Sequence, residues 1–310
     1  MEGVRASGPE NFPKFVHFLD ENLKDSNAWS LKDEYPSVLH PQNSENIRYI
    51  EQNSQIVSGA AMKVMLVTSL VRIFKVAAIG SVVTRPENRQ QGLSQKVLQS
   101  CLNAAQKQAC DFAILWTNLY EFYRKLDFEL AGRETSLILK RQMGHSAPEN
   151  LKIFTTKRLD PQALLRLYSQ HSCGAFRNVQ DVQKFLQIPN SRIYSAWSQT
   201  NELQAFAVEG KGRDLDGYIH EWAGGVSALI PLLRFMVQDQ KRELTVLAPS
   251  SAQNLIRQLQ SFDVMTNNGY LGMIRILDPK SLFQKIQRYA NSIGVQNLFL
   301  NETSSGFEFG

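Results

Sequence analysis

Arg89, Gly92 and Ser94 fall within the run Arg89-Gln90-Gln91-Gly92-Leu93-Ser94, which separates two stretches of different periodicity. Before it, Val76, Ile79, Val82 and Val83 form a β-branched run that suits a buried strand, followed by Pro86. After it, Leu93, Val97, Leu98, Cys101 and Ala105 recur at the spacing of one helical face. A strand feeding a glycine turn that opens a helix leaves several backbone N–H groups unpaired and pointing one way. With the positive end of the helix dipole, those donors suit a phosphate. Residue types exclude two other nucleotide-binding patterns. A dinucleotide fingerprint needs three glycines in the turn, where only Gly92 is present, and a P-loop needs Gly-Lys-Ser/Thr, which occurs nowhere in the chain. A plain strand–turn–helix corner would show the same local pattern.

A second constellation lies downstream. Asp111-Phe112-Ala113-Ile114-Leu115-Trp116 suits a short buried strand, and Glu121 to Glu129 carries Tyr123 among Phe122, Leu126 and Phe128. A phenol, with a pKa of ~10, can share a proton with an alkyl thiolate as a C–S bond breaks. The same flanking residues would equally suit a packing tyrosine.

The two segments, in this order, resemble the GCN5-related N-acetyltransferases (GNAT). The acyl-CoA motif of that family, Arg/Gln-x-x-Gly-x-Gly/Ala, stands here as Arg89, Gly92 and Ser94, with serine at the last small position. Its Tyr-x-x-x-Gly-Phe element stands as Tyr123, Asp127 and Phe128, with aspartate, a residue that tolerates turns, in place of glycine. The resemblance covers roughly residues 76–130. It implies acetyl-CoA as acyl donor, with no metal. The pantetheine arm would lie on Val82, Val83 and Thr84, and the pyrophosphate on Arg89, Gln90, Gln91, Gly92, Leu93, Ser94 and Gln95, mostly through main-chain contacts. It also implies Tyr123 as the acid that protonates the departing thiolate.

The elements that would position these residues can be read on either side. Val4–Ser7 suits a short strand and Glu10–Leu23 an amphipathic helix. Ser30–Asn46, with Pro36 and Pro41, has little periodicity and falls where the family often places its acceptor loops. Ile47–Glu51 and Gln55–Val67, around Asn53-Ser54, read as a hairpin. One complete domain would end near Leu139, and the polar Gly144–Asn150 would be a linker.

The second half reads as the same order of elements: helices at Arg158–Tyr168 and Val182–Leu186, strands at Ile193–Trp197, Leu203–Gly210 and Leu215–Trp222, and a helix at Val226–Val237. A strand at Glu243–Leu247, a helix at Gln253–Leu259 and a closing strand at Tyr270–Leu277 complete it. Trp222-Ala223-Gly224-Gly225 stands where the first half has its Arg-x-x-Gly motif. The expected fold is therefore α/β (α+β), a mixed central sheet flanked by helices, in two tandem acetyltransferase-like copies, the second degenerate. The expected division is 1–143 for the acyl-CoA-binding domain, 150–279 for the degenerate one, and 280–310 for a helix at Ser281–Tyr289 and a solvated tail.

Other chemistry finds less support. His220 and Glu221 are adjacent in a strand, so they face one pocket only across a bulge. Cys101, Cys110 and Cys173 show no paired ligand spacing with histidines, and nothing beside His171-Ser172-Cys173 marks an activated thiolate. Scattered cysteines and no apolar run of transmembrane length point to the cytoplasm. A net charge of +5 without a long basic run needs no nucleic acid to explain it, since CoA is itself an anion.

These residues lead to an expected function: an N-acetyltransferase that moves an acetyl group from acetyl-CoA to a primary amine by direct attack in a ternary complex. The amine's proton would go to water or to a carboxylate, with Glu34, Glu121 and Glu221 as candidates. Expected partners are an amine acceptor, either small molecule or protein/peptide, with no nucleic acid and no membrane; a homodimer is a compatible assembly. The competing reading is a CoA-sensing or interaction protein without turnover on a degenerate GNAT fold.

Overall fold

The structure, a computed structural model, describes residues 3–24, 28–143, 150–303 and 306–310. The expected linker falls on 144–149, outside the described residues, with only Asn150 inside them. The first half contains β1 (Arg5–Ala6), α1 (Gly8–Leu23), α2 (Leu31–Glu34), β2 (Ile47–Gln52), β3 (Gln55–Thr68) and β4 (Phe74–Thr84). It continues with α3 (Leu93–Lys107), β5 (Phe112–Leu115), α4 (Tyr120–Arg124), β6 (Glu129–Ala131) and β7 (Glu134–Leu139). Local chemistry sets several boundaries. Asn53 and Ser54, both at positive φ, make the two-residue turn between β2 and β3. Ser30 and Asp33 close a capping box on α2.

The second half contains β8 (Leu151–Thr155), α5 (Pro161–Tyr168), β9 (Gly174–Ala175), α6 (Val179–Leu186), β10 (Arg192–Ser198), β11 (Leu203–Lys211) and β12 (Asp214–Gly224). Then come α7 (Val226–Gln240), β13 (Leu244–Pro249), α8 (Gln253–Gln260), β14 (Met265–Gly269), β15 (Gly272–Ile276) and α9 (Pro279–Ser292). The chain ends in a hairpin of β16 (Leu300–Thr303) and β17 (Gly306–Phe309), in place of the expected solvated tail.

One sheet runs β1-β2-β3-β4-β5-β15-β6, with β9 paired to the end of β3; the other, read the same way, runs β8-β10-β11-β12-β13-β7-β14. Position by position the two are the same sheet. Each has one parallel pair at its centre, β4 with β5 and β12 with β13. Each lays one long helix on its central strands, α3 burying Val97, Leu98, Cys101 and Ala105, and α7 burying Leu229, Leu232, Leu233 and Met236. The tandem repeat is thus present in the topology.

The sixth position of each sheet corrects the expected allocation of strands. The segment read as one closing strand of the second half, Tyr270–Leu277, provides β15, which enters the first sheet between β5 and β6. In return β7, read as the last strand of the first half, enters the second sheet between β13 and β14. Side-chain burial accounts for the choice. Met273 and Leu277 drop into the core beneath α3, while Leu137 and Leu139 are fully buried beneath α7. Each such side chain contributes roughly 1.5–3 kcal/mol when buried, so the exchange ties each core to the other half of the chain.

A polar contact ties α9 to the first sheet. The Asp111 carboxylate, 1% exposed, accepts hydrogen bonds from Lys75 N at 2.7 Å, Ser281 Oγ at 3.0 Å and Lys285 Nζ at 2.6 Å. Its own carbonyl accepts from Leu277 N and Asp278 N.

Two outcomes are expected. A fragment of residues 1–143, lacking β15, shows no cooperative urea transition by circular dichroism, and co-expression with 150–310 restores one. Lys285→Met strands the buried Asp111 charge and lowers the unfolding free energy by about 3 kcal/mol in equilibrium urea melts.

Candidate active site

The cleft begins where two strands stop pairing. β4 and β5 are joined in parallel only at Val76–Phe112, Ala77–Ala113 and Ala78–Ile114. β5 ends at Leu115, yet β4 continues to Thr84, so no described strand pairs with this edge of β4 from Ile79 onward. Along the same stretch the β3–β4 register slips between Gly59–Val83 and Ala61–Gly80, and Ser81 takes a positive φ of 51°. The extra residue is a bulge, which bends β4 and re-aims the residues beyond it. An edge of this kind presents main-chain donors and acceptors to whatever lies along it. Val82 packs toward the α3 core and Val83 toward α1 on the other face, while the Thr84 hydroxyl pairs with Ser58 Oγ at 2.8 Å.

The edge leads directly to the start of α3. Gly92 is the helix N-cap at φ 71°, ψ 11°, a left-handed conformation that disfavours any side chain. It supplies no capping oxygen, and the N–H groups of Gly92, Leu93, Ser94 and Gln95 have no acceptor among the described residues. Four adjacent amides at the positive end of a helix are an arrangement that can hold an anion. Gln90 is left-handed too (φ 63°), and Gln90, Gln91, Gly92 and Gln95 are exposed. Leu93 is buried and Ser94 half-buried. Arg89 differs from a free phosphate ligand, since its Nε donates to Thr84 O at 3.3 Å and so ties the turn to the end of β4.

Tyr123 shares one apolar cluster with Ile79, Leu93, Val97 and Leu115, so α4 belongs to the same wall as the cleft. Its ring meets Phe122 and Phe128 edge-on, at 4.9 and 6.1 Å between centroids. The residue is 7% exposed, and its hydroxyl makes no hydrogen bond to another described residue. Burial pushes the phenol above its usual range, so the proton is held at neutral pH. Asp127, at the family's glycine position, adopts φ 57° and pairs with Arg275 at 3.3 Å. The backbone there does what the glycine would, and β15 from the second half helps to hold it.

The three candidate carboxylates separate clearly. Glu121 lies exposed on α4 and pairs with Arg124 at 2.5 Å. Glu34, buried at 2% exposure, accepts from the Trp29 indole and lies against Gly212 at the β11–β12 turn. Glu221 pairs with Arg177 at 2.5 Å. Glu34 and Glu221, distant in sequence, both act on Lys211, whose ammonium sits 4.3 Å from the Tyr35 ring centroid. Burial nonetheless lowers the Lys211 pKa. This seam between the halves escapes sequence reasoning, because none of its residues shares a motif.

The corresponding cleft of the second half is filled. β12 and β13 pair in parallel only at Tyr218–Thr245 and Ile219–Val246, and a register shift at His220 gives β12 its own bulge. There the Trp222 indole N–H donates across the gap to Leu247 O at 3.0 Å, and His171 Nε2 bonds Trp222 O at 2.7 Å. His220 turns to Gly210 O at 3.0 Å, and burial lowers its pKa. No group of three or more His, Cys, Asp or Glu stands ready for a metal among the described residues. Burial pushes the Cys101 thiol up to about 12 and raises Cys173 as well.

The acetyltransferase (GNAT) domain family matches residues 4–131. No curated protein matches the chain in sequence. Several solved structures share its fold. A GCN5-related N-acetyltransferase from Anabaena variabilis ATCC 29413 aligns at a TM-score of 0.70 and 15% identity, over 99% of this chain and 84% of that one. A conserved protein of Enterococcus faecalis V583 aligns at 0.68 and 14%, over 96% and 76%. A GCN5-related N-acetyltransferase from Kribbella flavida aligns at 0.66 and 14%, over 99% and 82%. The acetyltransferase (GNAT) domain family thus matches the first of two tandem copies of the fold, and the whole chain shares its fold with these solved structures.

Proposed function

We propose that the chain is an acetyl-CoA-dependent N-acetyltransferase that moves the acetyl group to a primary amine by direct attack in a ternary complex. The observation that carries this reading is the continuity of an unpaired β4 edge with an uncapped α3 N-terminus. An extended chain of amides ending in a pyrophosphate has the shape and polarity to match both. The main chain of Val82, Val83 and Thr84 would hold the pantetheine arm. The amides from Gln90 to Gln95 would hold the pyrophosphate, with Arg89 bracing the turn.

A main-chain N–H on the β4 edge polarises the thioester carbonyl and stabilises the oxyanion as the amine attacks. Tyr123 then gives its proton to the departing thiolate, a role suited to a phenol held protonated by burial, whose hydroxyl has no hydrogen bond to another described residue. The amine's own proton leaves to water or to a carboxylate. Glu121 is engaged at the surface by Arg124, whereas Glu34 and Glu221 stand at the seam beside the first sheet. Three free cysteines suit the reducing cytoplasm as the place of action.

Turnover belongs to the first copy alone, because Trp222 occupies the matching gap in the second. Calorimetric titration with acetyl-CoA is therefore expected to give one site per chain. Gly92→Trp, which blocks the turn, is expected to abolish that heat while the circular dichroism spectrum is retained; binding that survives would remove the pyrophosphate assignment. Tyr123→Phe is expected to lower kcat by roughly 10²-fold with little change in acetyl-CoA affinity. An unchanged rate would take the acid role from this residue.

A further inference from the structure

Where β4 leaves β5, the two faces of the first sheet differ. On the α3 side Ile79, Leu93, Val97 and Leu115 are buried in one cluster. Ala78 and Ile114, the last residues of the parallel pair, alternate with members of that cluster and so point to the other face. Two residues further along each chain, that same face carries Gly80 on β4 and Trp116 just after β5. Gly80 is exposed, with open space where a Cβ would be, and Trp116 is 63% exposed. A molecule that reaches the unpaired β4 edge from this side passes between them.

The indole has a fixed seat. A Cβ added to Gly272 of β15 would stand 3.4 Å from Trp116 Nε1. Met273, the next residue, drops into the core beneath α3, so Gly272 turns its vacant side to the opposite face, and the ring lies against it. The border continues past Gly272. The Leu271 Cβ lies 2.6 Å from where Gly132 would carry its own. These two residues belong to the segments that cross between the sheets, one between β6 and β7 and the other between β14 and β15. Leu271 and its neighbour Tyr270 are both exposed.

Carboxylates of the adjoining α4–β6 segment are engaged by arginines: Glu121 and Glu129 pair with Arg124, and Asp127 pairs with Arg275. What Trp116 and Leu271 offer is therefore apolar surface. Adjacent exposed apolar side chains of this kind mark a place that something covers. The occupant follows from position. An amine that attacks at the β4 edge carries the rest of its molecule onto the surface beside that edge, and Trp116 and Leu271 are that surface.

We propose that Trp116 is the specificity-determining contact for the acceptor, and that the acceptor is a primary amine carried on an apolar body, aromatic or alkyl, that covers the indole and Leu271. The inference rests on reading the β4 edge as the donor site. It gives the second half a part in the reaction, since Leu271 comes from it.

The test uses the full chain, acetyl-CoA and matched amines: phenethylamine against ethanolamine, and hexylamine against 5-aminopentanol, with spermidine as a polycation. Thiol release gives kcat/KM for each. The apolar member of at least one pair is expected to be favoured ~10-fold or more, the lower end of what one methylene group gives in a closed apolar pocket. Which pair responds distinguishes an aromatic body from an alkyl one. Trp116→Ala and Leu271→Ser, on separate elements, are each expected to reduce that preference several-fold, and Trp116→Phe to retain most of it, with acetyl-CoA affinity and the urea midpoint unchanged. Equal rates within both pairs, a preference for the hydroxylated amines or for spermidine, or a preference that survives both substitutions would overturn the proposal.

Calorimetry with acetyl-CoA alone separates the two readings. If the chain binds no acetyl-CoA, the donor assignment fails, and phenethylamine and hexylamine are titrated directly onto the chain. Binding that Trp116→Ala and Leu271→Ser both weaken upholds the apolar subsite. Binding that neither weakens, or no binding, overturns it.

Discussion

Beyond Ala78 and Ile114 the two central strands of the first sheet have no hydrogen bonds to exchange, and the proposed donor site depends on that parting. A parallel pair normally continues until one strand ends. Here the shorter strand stops at Leu115 while the longer one bulges at Ser81 and runs on to the glycine turn. The unpaired edge leads to the uncapped helix, and Tyr123 packs in the same apolar cluster as Ile79 and Leu93 beside them. In the second copy an indole bridges the matching gap to the neighbouring strand, and an imidazole bonds the same tryptophan's carbonyl. Backbone topology is nearly the same in both places, and a few side chains set the difference.

Around that opening the two halves are joined by more than surface contact. Each sheet accepts a strand from the other half, β9 extends β3 from the second half, and α9 is fixed to the first sheet through the buried carboxylate of Asp111. The seam is ionic as well. Lys211 is half-buried within the influence of Glu34 and Glu221, and Arg177 lies over the rings of Tyr168 and Phe185 at 4.0 and 4.7 Å. A half-buried ion pair stabilises little in itself but costs energy to break, so the Arg177–Glu221 pair favours one docking geometry over its neighbours.

The strand–turn–helix of the proposed donor side is legible in the sequence because its signals are local. The glycine turn, the change from strand to helical periodicity and the Tyr123 segment each lie within a short window, and the structure brings them to one wall. The tandem architecture is legible from the order of elements. The strand exchange is not, because Glu134–Leu139 and Gly272–Ile276 have apolar residues that could fill either core, and only tertiary packing decides between them. The division of Tyr270–Leu277 escapes for the same reason. The filled second cleft depends on Trp222 meeting a carbonyl 25 residues away, a distance over which periodicity carries no information. His220 is an intermediate case: the need for a bulge can be stated from the sequence, but its presence cannot.

The exchange of strands has a consequence for the history of the chain. Two identical copies, each complete, could drift apart or one could be deleted without harm to the other. Once each copy closes its sheet with a strand from its twin, deletion of either removes an inner strand from the survivor. The second copy is then not free to disappear, because the first sheet needs β15. Two halves that have diverged in sequence but share each other's strands are what such a lock would preserve.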